Sequence, residues 1–295
     1  MRRKNMPRIA ALLVISAVAM VTTAGGMADP KASKVDSTVR TSIVNATSGL
    51  SHKQVAGIIV QIQRADYEGD RAALKRLYDE LAPEDKNKEL AARVRYWRGF
   101  ALWRRAINGF NDNTDPQELG ADLKQAWEEF NESTNIEPNF VEAKIGAMSC
   151  VGLLAFSIKE KDPARIQELI VQARQLRKEI DAAAPDNPRY LWVWGPSLWY
   201  VPAERGGGQE KALATYDKGL AMIRTHKGAT SDPLEPTWGE PELLMSLAWS
   251  NLNRSTPDLN AAEQNARAAL AIVPYWHYVR DILLPQIEDA QKKKN

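Results

Sequence analysis

The stretch from Asp186 to Leu220 constrains the fold more than any other part of the sequence, because it predicts two helices joined by a tight turn. Asn187 can cap a helix and Pro188 suits a first helical turn, so a helix is expected to begin at this pair. An apolar run with three of the nine tryptophans follows. The residues expected to end that helix and turn the chain are Pro202, Gly206, Gly207 and Gly208. Because neither helix could bury an apolar face alone, each must pack on the other and on neighbours.

Small residues recur at spacings that would let paired helices approach closely. The positions that fit the first half of one repeat spacing, W-x2-L-G-x2-Y, are Leu191, Trp194, Gly195 and Leu198. Those that fit its second half, in which a small residue, an aromatic, another small residue and a proline follow in order, are Ala126, Phe130, Ser133 and Pro138. The same spacing recurs with alanine in place of the aromatic at Ala262, Ala266, Ala269 and Pro274, and without the proline at Ala212, Tyr216 and Gly219.

On these residues the chain resembles the tetratricopeptide repeat (TPR) superfamily over about residues 51–274, and within it the TPR-type proteins of the bacterial periplasm. The resemblance implies an all-α fold in which antiparallel helix pairs stack as an irregular solenoid with long insertions. The prolines that mark the repeats lie 41 to 55 residues apart rather than the regular 34, at Pro83, Pro138, Pro185, Pro233 and Pro274. The resemblance implies scaffold or adaptor work, and no reaction or cofactor.

The first 28 residues predict a cleavable export signal. A basic start (Arg2, Arg3, Lys4 and Arg8) precedes the apolar run from Ile9 to Val21, and small residues at Gly26 and Ala28 place the cleavage after Ala28. That run is shorter than the roughly 20 residues a membrane span needs, so we expect no integral span in the mature chain, an uncleaved anchor being the alternative. The mature protein would be periplasmic or secreted, with residues 29–50 as a flexible leader.

Removal of the signal changes the charge balance. The whole chain has 39 Lys and Arg against 37 Asp and Glu, and the signal holds four of the basic residues and no acidic one. The mature chain therefore has 35 basic and 37 acidic residues, a net charge of −2. This balance argues against a nucleic-acid partner.

Helical periodicity predicts one repeat domain over residues 51–290, followed by a short basic tail over residues 291–295. Val55, Ile58 and Ile62 stand at three- and four-residue steps, which is typical of one buried helical face, and similar stripes continue to Ile272. Residues 275–290 are expected to form a terminal capping helix.

Groups that could perform chemistry are few. The histidines His52, His226 and His277 lie far apart and outside any metal-binding spacing, so no metal site is predicted. The single cysteine, Cys150, stands in an apolar run and is expected to be a buried, unreactive thiol. We therefore expect a protein that is not an enzyme.

The aromatic stretch offers a candidate binding surface. If Gly195 faces the paired helix, then the residues on the opposite side, which would line the concave groove of a TPR-like solenoid, are Arg189, Trp192, Trp199 and Tyr200. Such side chains combine apolar area with a polar tip and dominate recognition energetics. The alternative is that the rings fill gaps between irregular repeats.

A second groove candidate depends on the alignment of the earlier repeat. One register places Arg98 and Arg105 on the concave side, which would favour an acidic ligand. A shift of two residues, with Gly99 as the small residue, places Tyr96, Phe100 and Trp103 there instead. The sequence leaves both registers open.

The sequence thus predicts an exported, TPR-like scaffold that binds a protein or peptide partner in a concave helical groove, with an envelope complex as one setting. Two alternatives stay open. One is an accessory periplasmic component of a solute transport system that binds a small ligand. The other is an α-helical carbohydrate-active enzyme, which would need two carboxylates among Glu204, Glu210 and Glu240 to converge over Trp192 and Trp199.

Overall fold

The structure, a computed structural model, describes residues 50–81, 88–158, 162–225 and 231–294. The predicted signal peptide, nearly all of the predicted leader and the positions of Pro83 and His226 lie outside the described residues.

Within those ranges every regular element is helical and no strand occurs, so the all-α prediction is confirmed. In chain order the helices are α1 (His52–Glu68), α2 (Arg71–Glu80), α3 (Lys88–Asn111), α4 (Pro116–Ile136), α5 (Val141–Ile158), α6 (Pro163–Ala183), α7 (Pro188–Tyr200), α8 (Gln209–Thr225), α9 (Glu240–Asn253), α10 (Leu259–Ile272) and α11 (Leu284–Lys294). A 3-10 turn (Ala203–Arg205) separates α7 from α8, and a π-helical segment (Tyr278–Leu283) leads directly into α11. None of the helices described is long and apolar enough to cross a bilayer.

Consecutive helices pack in pairs, α1 on α2, α3 on α4, and so on to α9 on α10. The odd-numbered helices also contact one another in order, from α1 and α3 to α7 and α9. They therefore form the inner row of a solenoid-like stack, as the repeat spacing predicts.

Local sequence signals place the helix ends. The side chain of Asn187 accepts hydrogen bonds from the backbone N–H groups of Arg189 and Tyr190, with Pro188 in the first turn of α7. In the same way, Asp115 caps α4 ahead of Pro116. These caps satisfy N–H groups that lack a partner within the helix.

Small residues lie where the paired helices come closest. A Cβ on Gly195 would overlap the ring of Tyr216, so α7 and α8 can approach only because this residue is glycine. Ala126, Ala212 and Ala262 are fully buried in the corresponding interfaces.

The glycine run makes the turn between α7 and α8. Gly206 and Gly208 have φ angles of 82° and 101°, a region that residues with a Cβ rarely adopt. A Cβ on Gly207 would overlap Val201, so the middle glycine is needed for close approach instead.

The inner side of the stack is filled by the connection between α8 and α9. Nε1 of Trp97 donates to the carbonyl of Leu234 at 2.7 Å, and Nε1 of Trp238 donates to the hydroxyl of Tyr96 at 2.8 Å. Both Leu234 and Trp238 are buried, so this connection, described over residues 231–239, is part of the core.

Helix α1 closes the stack against its far end. The hydroxyl of Tyr67 donates to Oε1 of Glu242 on α9 at 2.9 Å, and its ring meets that of Trp276 edge-on at 5.0 Å. Nε of Arg104 donates to Asp66 at 2.7 Å, which ties α3 to the same junction. The inner row therefore closes on itself, and this was not predicted.

The end of the chain differs from its prediction. The terminal helix begins with π-helical geometry at Tyr278 and runs to Lys294, so the described part of the predicted basic tail continues α11. Lys292, Lys293 and Lys294 are exposed in its last turn. Cationic side chains are favourable at that end because the helix dipole is negative there.

Candidate functional site

The tryptophans of the predicted aromatic groove lie in the hydrophobic core. Trp192 and Trp199 keep only 4% and 7% of their surface exposed, so the expectation that they line an open concave face is not met. The physical reason is that Trp192 is covered by α3, α9 and the α8–α9 connection, and Trp199 by α9. Sequence spacing could not reveal this, because those segments are distant along the chain.

The contacts of the two rings confirm a packing role. Nε1 of Trp192 donates to Oγ of Ser246 at 3.0 Å, and its ring lies edge-on to Trp103 and Trp238 at 5.9 and 5.5 Å. Trp199 meets Trp249 in the same geometry at 5.3 Å. Edge-to-face pairs of this kind add to the stabilisation from buried area.

The other two residues of the predicted groove differ from each other. The guanidinium of Arg189 binds Glu142 and the carbonyl of Pro236, so it is a bridge between α5, α7 and the α8–α9 connection. Tyr200 is 47% exposed, and of the four predicted groove residues it alone offers a largely open side chain.

The arginines of the second candidate are also committed to internal contacts. Nε of Arg98 donates to Glu129 at 2.9 Å, and Arg105 pairs with Asp122 and Glu118. Neither guanidinium is available to an acidic ligand.

The alternative register, with Gly99 as the small residue, does not give an open groove either. Tyr96, Phe100 and Trp103 are buried in the aromatic core, each about 1% exposed.

A cleft of about 730 Å³ lies beside the start of α1, hereafter the α1 cleft. Its lining residues are Leu50, Ser51, His52, Leu90, Arg93, Ile136, Glu137, Asp232, Leu234 and Glu235. They come from the start of α1, from α3, from the end of α4 and from the α8–α9 connection. The cleft is within the size range of small-molecule sites in proteins.

Arg93 is the central charge of the α1 cleft. Its Nη1 lies 2.7 Å from Oε2 of Glu137, and its Nε donates to Oε1 of Glu235 at 2.7 Å. Its guanidinium carbon lies 3.8 Å from the ring centre of Phe140, a cation–π arrangement. Burial opposes its charge, yet the bonds with both glutamates outweigh burial and raise the Arg93 pKa.

His52 and Asp232 form a second polar group at the rim. Nε2 of His52 lies 3.1 Å from Oδ1 of Asp232, which also accepts from the backbone N–H of Leu234 at 2.9 Å. This pair links the first turn of α1 to the α8–α9 connection.

No sequence pattern predicts the α1 cleft, and of its lining residues only His52 stood out in the sequence, as a possible metal ligand. Arg93 and Glu235 are 142 residues apart, and neither belongs to a motif. A periodic pattern reports which face of a helix is buried, whereas this cleft arises from a connection that folds back over the stack.

The remaining candidates for chemistry are dispersed. Among the residues described, no group of three or more His, Cys, Asp or Glu could hold a metal ion. His277 pairs with Asp281 at 2.8 Å, far along the chain from His52. Burial raises the pKa of the Cys150 thiol well above its usual value, which keeps the thiol protonated and unreactive.

The carboxylates proposed for a carbohydrate-active site occupy separate contacts. Glu210 pairs with Arg254 and Glu240 with Arg224, while Glu204 is exposed in the 3-10 turn. Since Trp192 and Trp199 are buried, no open platform lies beneath these three carboxylates.

Over its described residues, the chain is an all-helical, solenoid-like protein with a polar-rimmed cleft. No known family and no curated protein sequence matches the chain. Among solved structures, the chain is similar to the HusA haemophore from Porphyromonas gingivalis, with 18% identity and a TM-score of 0.52. The similarity covers 72% of this chain and all of that one, and at this identity it shows a shared fold.

Proposed function

We propose that this protein is exported and acts by binding, without catalysis, and that its ligand is a small molecule held in the α1 cleft. The observation that carries the proposal is the cleft itself, in which four apolar side chains stand beside charged groups already fixed by ion pairs. Such a mixture suits a ligand with an apolar body and a polar end, because the apolar wall supplies affinity and the fixed charges supply orientation.

A TPR-like ancestry is part of the same proposal. The contact of Gly195 with Tyr216 and the burial of Ala126 and Ala262 fit the roles that these residue types have in the TPR spacing. Binding of a small ligand also agrees with one alternative from the sequence, in which the protein is an accessory component of a solute transport system.

A protein or peptide partner in a concave groove has less support. Residues 231–239 pack on the inner helices, so a peptide would have to displace packed side chains such as Leu234 and Trp238.

Haem is a second candidate ligand, favoured by two observations. The structural neighbour is named a haemophore, and the imidazole of His52 lies on the cleft rim. Haem binding would appear as a shift of the haemin absorbance band on titration with the protein, and His52→Ala would remove that shift.

The binding function is tested by filling the cleft. Ile136, the last residue of α4, lines it, and Ile136→Trp should occupy its volume. Ile272 ends α10 in the equivalent way and is exposed, so Ile272→Trp is a matched control. Both variants and the parent would be exported, purified gently and examined by native mass spectrometry.

We expect a bound small molecule on the parent and on Ile272→Trp that is absent from Ile136→Trp. Equal occupancy of all three proteins, or no bound molecule on any of them, would contradict the proposal. Equal melting temperatures of the two variants would exclude misfolding as the cause of a loss.

A further inference from the structure

The hydrogen-bonding groups of the α1 cleft are mostly acceptors. Arg93 uses its Nε, Nη1 and Nη2 atoms on Glu137 and Glu235, and Nε2 of His52 is directed at Asp232. Both contacts of Arg93 with Glu235 fall on Oε1, and within the described part of the chain no hydrogen bond reaches Oε2 of that carboxylate. A ligand would therefore find acceptors more readily than donors.

The charge of the described lining is negative. The lining contains three carboxylates, Glu137, Asp232 and Glu235, and one guanidinium, which gives a net charge of −2 with neutral His52 and −1 with the imidazolium. Arg93, Glu137 and Glu235 are half-buried, so solvent screens their charges less than it would at an open surface, whereas Asp232 at the rim is exposed.

Apolar side chains complete the cleft. Leu50, Leu90, Ile136 and Leu234 contribute hydrocarbon surface beside the carboxylates. Phe140 lies beneath Arg93 and keeps that guanidinium in place, so the arginine is a fixed part of the wall rather than a mobile counter-ion.

From these three features we infer the chemical class of the ligand: an organic cation with an amine or guanidine group and a hydrocarbon body. The cationic group donates to Glu235, and the hydrocarbon lies against Leu90 and Ile136. This inference rests on the proposed function of the cleft and narrows it. The same charges disfavour ligands whose polar groups are carboxylates, a class that includes haem.

The test compares three probes of equal chain length: hexylguanidinium, hexanol and hexanoate. Isothermal titration calorimetry on the exported chain should show hexylguanidinium binding at least about tenfold more tightly than hexanoate, because each carboxylate attracts the one and repels the other. The difference should shrink as salt is added.

Two variants assign the effect to the cleft. Glu235→Gln should weaken hexylguanidinium binding by about tenfold and leave hexanol binding unchanged. Glu263→Gln is the matched control, since Glu263 is similarly exposed (31% against 28% for Glu235) and also pairs with an arginine, on α10. Asp232→Asn, at a more exposed position, should act in the same direction if Glu235→Gln proves unstable.

Failure of this inference is distinguishable from failure of the proposed function. If hexanoate binds as tightly as hexylguanidinium, or if Glu235→Gln has no effect, the cation assignment is overturned while a cleft blocked by Ile136→Trp still supports small-molecule binding. If no probe binds, the cation assignment is likewise overturned. The proposed function is then tested by whether the purified parent protein carries a bound small molecule that Ile136→Trp lacks.

Discussion

The hydroxyl of Tyr67 donates a hydrogen bond of 2.9 Å to the buried carboxylate of Glu242, and the two residues are 175 positions apart. Nη2 of Arg104 lies 3.6 Å from the same carboxylate, and the backbone N–H of Gly239 donates to its other oxygen at 2.9 Å. Three helices, α1, α3 and α9, thus meet at one carboxylate. Burial raises the pKa of Glu242, while the charge of Arg104 and, to a smaller extent, the hydrogen bond from Tyr67 oppose that rise.

Tyr67→Phe should destabilise the protein by roughly 1.5–3 kcal/mol, because it removes a buried hydrogen bond to a carboxylate without changing the shape of the ring. Urea unfolding followed by circular dichroism would measure the loss. Tyr275→Phe is the control, since Tyr275 also packs near this junction but is exposed. Equal stability of the two variants would show that the Tyr67 hydroxyl contributes nothing to closure.

Gly195→Ala and Gly57→Ala should change stability in opposite directions. A Cβ on Gly195 would overlap Tyr216, so α7 and α8 would have to separate, at a cost of about 1–3 kcal/mol. A Cβ on Gly57, exposed within α1, meets nothing, so alanine should add about 0.5–1 kcal/mol through its higher helix propensity. Denaturation midpoints of the pair provide the comparison, and destabilisation by Gly57→Ala would contradict the account.

Trp192→Ala should unfold or severely weaken the protein, because a fully packed indole leaves a cavity worth about 3–5 kcal/mol. Tyr200→Ala, at an exposed position of the same helix, should change stability by less than about 0.5 kcal/mol. Thermal unfolding of both variants separates the two cases. A Trp192→Ala protein with unchanged melting temperature would restore the open-groove hypothesis.

Four tyrosines, Tyr67, Tyr78, Tyr96 and Tyr216, should resist ionisation until the fold is lost in alkali. Burial, and then the neighbouring Glu129, raise the pKa of Tyr78 to about 12, and burial also raises the pKa values of Tyr67, Tyr96 and Tyr216. In the unfolded chain a tyrosine has a pKa of about 10. Because the pKa of Tyr78 is higher in the folded state, the stability that its neutral hydroxyl contributes is complete below about pH 10 and is lost as the pH rises towards 12.

Tyrosinate absorbance and circular dichroism, recorded together in an alkaline titration, test this expectation. The two signals should change at the same pH, and Tyr78→Phe should reduce the alkaline loss of stability. Ionisation of most tyrosines near pH 10 with helicity intact would contradict the burial of these side chains.

The sequence predicted the helices, their pairing and the turn between α7 and α8, because these depend on local signals. The Asn187 cap, the Pro188 first turn and the small Gly195 act within a few residues of their own position. Periodicity also located the buried faces. It could not say whether a face would meet solvent or another part of the chain.

Whether a helix face meets solvent or another part of the chain determines where a binding site can lie. Tryptophan is a residue type typical of recognition surfaces, and this favoured a binding role for Trp192. It is buried, however, by residues such as Trp238 on the α8–α9 connection, which lies tens of residues away in the sequence. Arg93 likewise had no signal, since its partner Glu235 lies on a connection without periodic structure. Tertiary closure is invisible to a pattern that describes one helix at a time.

Repeat arrays can usually gain or lose a unit, because each unit touches only its neighbours. Here Tyr67 of the first helix contacts Glu242 of the ninth, and Trp97 contacts Leu234. Removal of either end would expose the aromatic interior, so neither truncation nor duplication of a helix pair should give a viable protein. The number of helix pairs is therefore coupled to the junction at which α1 meets α9.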